Sequence, residues 1–139
     1  MRFCLILLIF LSGTAGAHSL EPPYRLVRFH EGFTRFPMEA LNAFQHTEDF
    51  EVEVFADDSF SEVLDFRATP PTMRLQPMGR REFTIEMYEV GLPDFIVCTR
   101  TNVDGGSSRV CSRVIVCRNS NTQCKQQLSK RRGEYLIGR

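Results

Sequence analysis

Alternation between apolar and polar side chains is the dominant pattern along this chain. Residues 50–55 read FEVEVF, which places Phe50, Val52 and Val54 on one side of an extended strand. Residues 83–90 read FTIEMYEV and alternate over the whole stretch. Shorter apolar runs predict further strands at residues 24–29, 73–75, 95–101 and 114–116. The pattern therefore predicts about six antiparallel strands in one domain.

One segment, Thr34 to His46, is predicted to be helical. It concentrates Ala, Leu, Met, Glu and Gln, which favour helices. Pro37 suits a first helical turn, and Leu41 and Phe44 fall three residues apart on one side. The expected fold class is therefore α+β, a single small domain with one N-terminal helix and an antiparallel sheet stapled by two disulfides. An all-β sandwich, in which this segment is not helical, is the alternative.

Residues 98–111 predict a stapled hairpin. The sequence Asp104-Gly105-Gly106 favours a tight turn, because Gly adopts the positive φ that such turns need. With Asp104 and Gly105 at the centre of the turn, Cys98 lies directly opposite Cys111, Phe95 opposite Val114, and Val97 opposite Ser112. Directly opposed strand residues have the separation that a disulfide bridges.

Four cysteines are expected to form two disulfides: Cys98, Cys111, Cys117 and Cys124. The polar, turn-prone stretch between the last two makes 98–111 with 117–124 the most economical pairing, and 98–117 with 111–124 remains open. The spacings match neither a Cys-x2-Cys zinc site nor a redox Cys-x-x-Cys.

The first 17 residues predict a cleaved secretory signal. Arg2 precedes an apolar run from Phe3 to Leu11, and Ala15-Gly16-Ala17 supplies the small residues of a cleavage site. The run is shorter than the roughly 20 residues that a membrane helix needs. The expected division is a signal at 1–17, a secreted disulfide-stapled domain at 18–124 and a basic tail at 125–139. The expected location is extracellular, where disulfides persist.

Charge is balanced in total and uneven along the chain. Lys plus Arg and Asp plus Glu both number 17, yet within the last 31 residues only Glu134 opposes eight Arg or Lys. One interpretation is that an acidic first half and a basic second half attract each other within one fold. The other is a polyanion-binding site. Its candidate residues are Arg118, Lys125, Lys130, Arg131 and Arg132.

Catalytic motifs are absent from the sequence. There is no Gly-x-Ser-x-Gly and no His-Glu-x-x-His, so the chain is predicted not to be an enzyme and to use no cofactor. Cleavage after Ala17 leaves His18 at the N-terminus, where copper binding with His30 or His46 is a further alternative.

The order of a signal, an early helix, an antiparallel sheet and two consecutive C-terminal disulfides resembles the cystatin/cathelicidin arrangement. The local likeness is greatest from Phe83 to Thr101. The resemblance implies an α+β fold. The inhibitory motifs are absent: Gln76-Pro77-Met78-Gly79 is one residue short of the Gln-x-Val-x-Gly loop, and no tryptophan is present for the Pro-Trp loop.

The predicted function is that of a secreted non-enzymatic protein that binds an extracellular macromolecule, as a ligand, inhibitor or secreted effector. Its partner is an extracellular protein or polyanion, not a nucleic acid. Loops 102–108 and 118–123 are candidate contact surfaces, because a stapled loop loses little freedom on binding. The alternative is a host-defence or peptide-precursor role, in which the segment from Lys125 to Arg139 is used or released after Arg132.

Overall fold

The computed structural model describes residues 18–103, 105–118, 122 and 124–130. Within these residues, nine strands form two sheets packed face to face. The strands are β1 Ser19–Glu21, β2 Tyr24–Val27, β3 Phe33–Leu41, β4 Glu48–Phe55, β5 Arg67–Thr69, β6 Thr72–Leu75, β7 Arg80–Tyr88, β8 Asp94–Val103 and β9 Gly106–Val116. Residues 124–130 are helical.

One sheet has four strands in the order β1-β3-β7-β5, and the other has five in the order β2-β9-β8-β4-β6. The pairings are antiparallel except that of β2 with β9, which is parallel. Among the described residues, no helix has the length and apolar character needed to cross a membrane.

The segment predicted to be helical is strand β3, so the α+β prediction is wrong and the alternative, an all-β sandwich, describes the fold. Thr34, Phe36, Met38 and Ala40 are buried and alternate with more exposed neighbours. Their burial between the sheets outweighs helix propensity, which is a weak preference that tertiary packing overrides. Pro37 is tolerated because it lies on a strand edge, where its missing N–H is not needed.

The core between the sheets is built on three phenylalanines. Phe83 comes from the four-stranded sheet, and Phe50 and Phe95 come from the five-stranded sheet. All three are essentially inaccessible to solvent. Burying a side chain of this size stabilises a fold by about 1.5–3 kcal/mol, so these residues hold the two layers together.

The register predicted for the β8–β9 hairpin is confirmed. Cys98 pairs with Cys111, Phe95 with Val114, and Val103 with Gly106 at the turn. A disulfide joins Cys98 to Cys111, whose Cα atoms lie 4.0 Å apart. A second disulfide joins Cys117 to Cys124.

The chain changes sheets at two Pro-Pro pairs. Pro22-Pro23 connects β1 in the four-stranded sheet to β2 in the five-stranded sheet, and Pro70-Pro71 connects β5 to β6 in the same way. The Glu21–Pro22 and Thr69–Pro70 peptide bonds are cis. Because β1 leaves its sheet so early, it pairs only with the last three residues of β3, Glu39, Ala40 and Leu41.

Asn42 ties the turn after β3 to the end of β6. Its side chain is fully buried, and its amide Nδ2 donates to the carbonyls of His46 and Leu75, each at 2.9 Å. Its Oδ1 accepts from the N–H of Phe44 at 2.9 Å, and its backbone N–H donates to the carbonyl of Gly79. The side chain thus satisfies the buried carbonyl of Leu75 and two partly buried backbone groups, those of His46 and Phe44.

We expect Asn42→Ala to lower the free energy of unfolding by about 2–3 kcal/mol, because it removes the partner of the buried Leu75 carbonyl and of two partly buried backbone groups. Urea unfolding followed by circular dichroism measures the change. The matched control is Asn102→Ala at an exposed position, with an expected change below about 0.5 kcal/mol. Equal midpoints for the two variants would contradict the role assigned to Asn42.

Candidate functional site

A groove runs along the side of the sandwich where the chain changes from β1 to β2. It is lined by residues 25–28, by His30 and by residues 33–36, and we call it the β2–β3 groove. Its volume is about 430 Å³, within the range of ligand-binding clefts.

One wall of the groove is the uncovered edge of β3. The carbonyl of Gly32 accepts from the N–H of Glu89 on the β7 side, and Phe33 exchanges backbone bonds with His30 on the opposite side. Backbone groups alternate in direction along an antiparallel strand. The N–H and C=O of Arg35 therefore point away from β7 towards the groove, and no described residue pairs with them.

The other wall is the edge of β2. The carbonyls of Pro23 and Val27 accept from the N–H groups of Arg113 and Cys117. By the same alternation, the backbone groups of Leu26 point away from β9. Two strand edges thus border one groove, each with backbone donors and acceptors that no described residue pairs with.

The groove is positively charged. Its lining includes Arg25, Arg28, His30 and Arg35 and contains no aspartate or glutamate. Arg35 Nε lies 3.3 Å from Glu86 Oε1, outside the lining, and its side chain is 66% exposed.

Arg25 is the most constrained of these cations. Its guanidinium lies 5.7 Å from the centroid of the Phe36 ring, and its Nε is buried with no hydrogen-bond partner among the described residues. Burial lowers the pKa of Arg25, and the negative charge of Glu82 partly offsets this effect. The groove therefore offers charged and backbone donors and no acid–base pair or nucleophile, which suits binding rather than catalysis.

The outer face of the five-stranded sheet carries charges that neutralise one another. Glu53 contacts both Arg100, at 3.0 Å, and Arg109, at 2.7 Å. Arg113 contacts Asp58 at 2.6 Å, and Glu51 contacts Arg100. Acids from the first half of the chain thus pair with bases from the second half, as the first interpretation of the uneven charge expects.

The residues proposed for polyanion binding are not brought into one described cluster. Arg118 is held by Glu89 at 3.0 Å and by the carbonyl of Leu92 at 2.9 Å. Lys125 and Lys130 are exposed on the helical residues 124–130. Arg131 and Arg132 lie outside the described residues, so the polyanion site stays a prediction.

The predicted signal at 1–17 and the last nine residues of the predicted tail lie outside the described residues. So do Asp104 and most of the loop 118–123. The domain division and the two loop surfaces therefore stay predictions.

His18 is a buried core group. Its Nε2 donates to the carbonyl of Thr99 at 3.0 Å, and its ring packs 5.0 Å from that of Phe50. His30 forms a bridge to Phe33 through its backbone, and the ring of His46 contacts Glu48. The described residues contain no group of three metal-ligating side chains.

Solved structures share this two-sheet arrangement. The Escherichia coli chaperone DraB matches 73% of this chain with a TM-score of 0.59 at 14% identity. A chain in the complex of the Salmonella enterica SafA pilin with the SafB chaperone matches 76%, with a TM-score of 0.60 at 16% identity. WR4, an MSP family member of Caenorhabditis elegans, matches 73%, with a TM-score of 0.54 at 9% identity.

The match covers 54% and 56% of the two bacterial chains and 99% of WR4, so this chain spans about half the length of the former. No family model matches the sequence, and no curated protein is similar to it. The likeness shows a PapD-like, immunoglobulin-like fold. The chain thus has the fold of non-enzymatic domains, as the sequence analysis expected.

The cystatin/cathelicidin resemblance is wrong, because the structural neighbours are all-β chaperone and MSP domains. The resemblance depended on a predicted early helix, and this segment is strand β3 in the structure. The β2–β3 groove was not predicted from the sequence. Its visible traces are the Pro22-Pro23 pair and the basic residues Arg25, Arg28 and Arg35 on either side of the next turn.

Stability is expected to fall in mild acid because of His18. Burial lowers the pKa of His18 in the folded protein below its ordinary value of 6.5, so the unfolded chain binds the proton more readily. Neutral His18 makes its full contribution to the free energy of unfolding above about pH 6.5. This contribution is lost as the pH falls through the pKa of His18 in the folded protein. Urea unfolding at about pH 7.5 and about pH 5 measures it. The loss should be smaller in His18→Gln than in wild type or His30→Gln, and equal losses in all three would contradict it.

Proposed function

We propose that this protein is an exported, non-enzymatic binding domain whose partner is a polypeptide that places an extended segment in the β2–β3 groove. The observation that carries the proposal is the pair of strand edges, with the backbone groups of Leu26 and Arg35 directed outwards and without a described partner. An extended chain supplies N–H and C=O groups with the spacing that a strand edge needs.

The side chains in the groove support a polypeptide occupant. Leu26, Phe33 and Phe36 give the groove apolar surface, on which alternate side chains of an added strand would pack. Folded proteins usually cover or blunt such edges, because uncovered strands pair with other chains. Two of the neighbours are described as chaperones or chaperone complexes, one of them with a pilin, and this supports a polypeptide partner.

Export is supported by the predicted signal at 1–17 and by the two disulfides, which are typical of oxidising compartments. We expect the intact mass of the product recovered from the medium of a secreting cell to correspond to a chain beginning at His18. Reduction should raise that mass by the hydrogens of both disulfides. A product that stays inside the cell with residues 1–17 attached would contradict export.

The edge is tested by Arg35→Pro compared with Arg35→Gln. Both variants remove the charge, but only proline also removes the outward N–H. An outward-facing proline is compatible with an edge strand, as Pro37 in the same strand shows. Peptides selected from a displayed random library on the wild-type domain should bind R35P at least about tenfold more weakly than R35Q.

Thermal unfolding of both variants serves as the control for folding. If the selected peptides bind R35P and R35Q equally, the β3 edge is not the binding surface and the proposal fails.

A further inference from the structure

We infer that the segment bound in the β2–β3 groove is acidic, an extended polypeptide of a partner protein with carboxylates at alternate positions. The inference rests on the proposed function and adds the chemistry of the partner. It begins from the lining, which combines three arginines and a histidine with no carboxylate.

This local excess of positive charge is unusual for this molecule. The chain as a whole carries equal numbers of basic and acidic residues. Arginines on this surface generally lie against acids on adjacent strands: Arg74 with Asp49 at 3.1 Å and Arg80 with Glu39 at 2.9 Å. Arg35 of the groove also contacts an acid, Glu86 at 3.3 Å, but that acid lies outside the lining. The groove collects cations without acids in its own lining, so an acidic occupant complements it.

Arg25 gives the strongest indication of an anion. Its Nε is buried without a described partner, and a buried donor that lacks an acceptor is costly. A carboxylate in the groove would supply that acceptor, and a hydrogen bond between two charged groups is about twice as strong as a neutral one.

The strand geometry fixes the pattern of the occupant. A segment paired with the backbone of Arg35 presents alternate side chains to opposite sides. One set lies on the side of Phe36, whose side chain is buried, and the other on the side of Arg35, whose side chain is exposed. A segment that alternates acidic and apolar residues fits both sides.

Segments of this chain do not meet that requirement. The acidic stretch 48–55 forms β4, which is paired on both sides. The chain end, residues 131–139, carries three arginines and one glutamate, so its charge is repelled by the groove. With these two segments excluded, the proposed occupant is a segment of another protein.

The probes are three labelled ten-residue peptides that alternate valine with glutamate, threonine or lysine. Binding to the folded, disulfide-bonded protein is measured by fluorescence anisotropy. The glutamate peptide should bind at least about tenfold more tightly than the threonine peptide, and the lysine peptide most weakly. The preference should shrink as salt rises, because partly exposed charges are screened.

The double variant Arg28→Gln/Arg35→Gln should remove the preference for glutamate over threonine. Arg74→Gln/Arg80→Gln removes two exposed arginines away from the groove and should keep the preference. If Arg28→Gln/Arg35→Gln keeps the preference for glutamate, or Arg74→Gln/Arg80→Gln loses it, the acidic segment binds elsewhere and the inference is overturned.

Failure of the inference is distinguishable from failure of the proposed function. Equal binding of the glutamate and threonine peptides, weakened in R35P relative to R35Q, overturns the acidic partner and leaves edge pairing in place. Binding of all three peptides that is indifferent to R35P overturns both. Dimerisation of wild type that R35P abolishes, seen by sedimentation velocity, makes a second copy the occupant and also overturns the acidic partner.

Discussion

The change of sheet at Pro22 and Pro23 decides where the sandwich is open. β1 pairs with only three residues at the end of β3 before the chain crosses, and β2 then pairs with β9 in the other sheet. The first part of β3 is left uncovered on one side, and β2 becomes an outer strand. The groove, its backbone donors and its cations all follow from this single crossing. The crossing at Pro70-Pro71 on the opposite side shows that the fold uses the same device twice.

The charge distribution also differs between the outer face of the five-stranded sheet and the open β2–β3 groove. Across β4, β8 and β9, acids and arginines interleave, so this face carries little net charge. The lining of the groove contains arginines and no acid, and the acid that contacts Arg35, Glu86, lies outside it. Exposed ion pairs contribute little to the free energy of unfolding. The main effect of these pairs is therefore electrostatic, because they leave little unmatched charge on the outer face of the five-stranded sheet. An anionic segment would then be attracted to the groove rather than to this face.

Local patterns predicted much of the five-stranded sheet and little of the groove. The strand at 50–55 depends on alternation over a few residues. The β8–β9 register depends on one Gly-containing turn between the two strands. β3 was mistaken for a helix because Met38, Ala40 and Leu41 are good helix formers, whereas its alternate burial depends on a partner strand far along the chain. The strand at 24–29 was predicted, but its parallel pairing, which sets Tyr24 opposite Arg113, joins positions that no local pattern connects, so the position of β2 as a wall of the groove was not predictable.

Both walls of the groove are held in place before any partner arrives. β3 is paired with β7 along its whole length, from Phe33 to Leu41. β2 rests on β9, which the Cys98–Cys111 disulfide fixes to β8. Ordering a flexible surface is one of the main costs of association, and a preformed edge avoids it. The incoming segment alone must then become ordered, and each backbone bond that it forms with Arg35 or Leu26 offsets part of that cost. In the proposed mode of binding, a rigid edge flanked by charges would therefore take up a short extended segment without rearrangement of the sandwich.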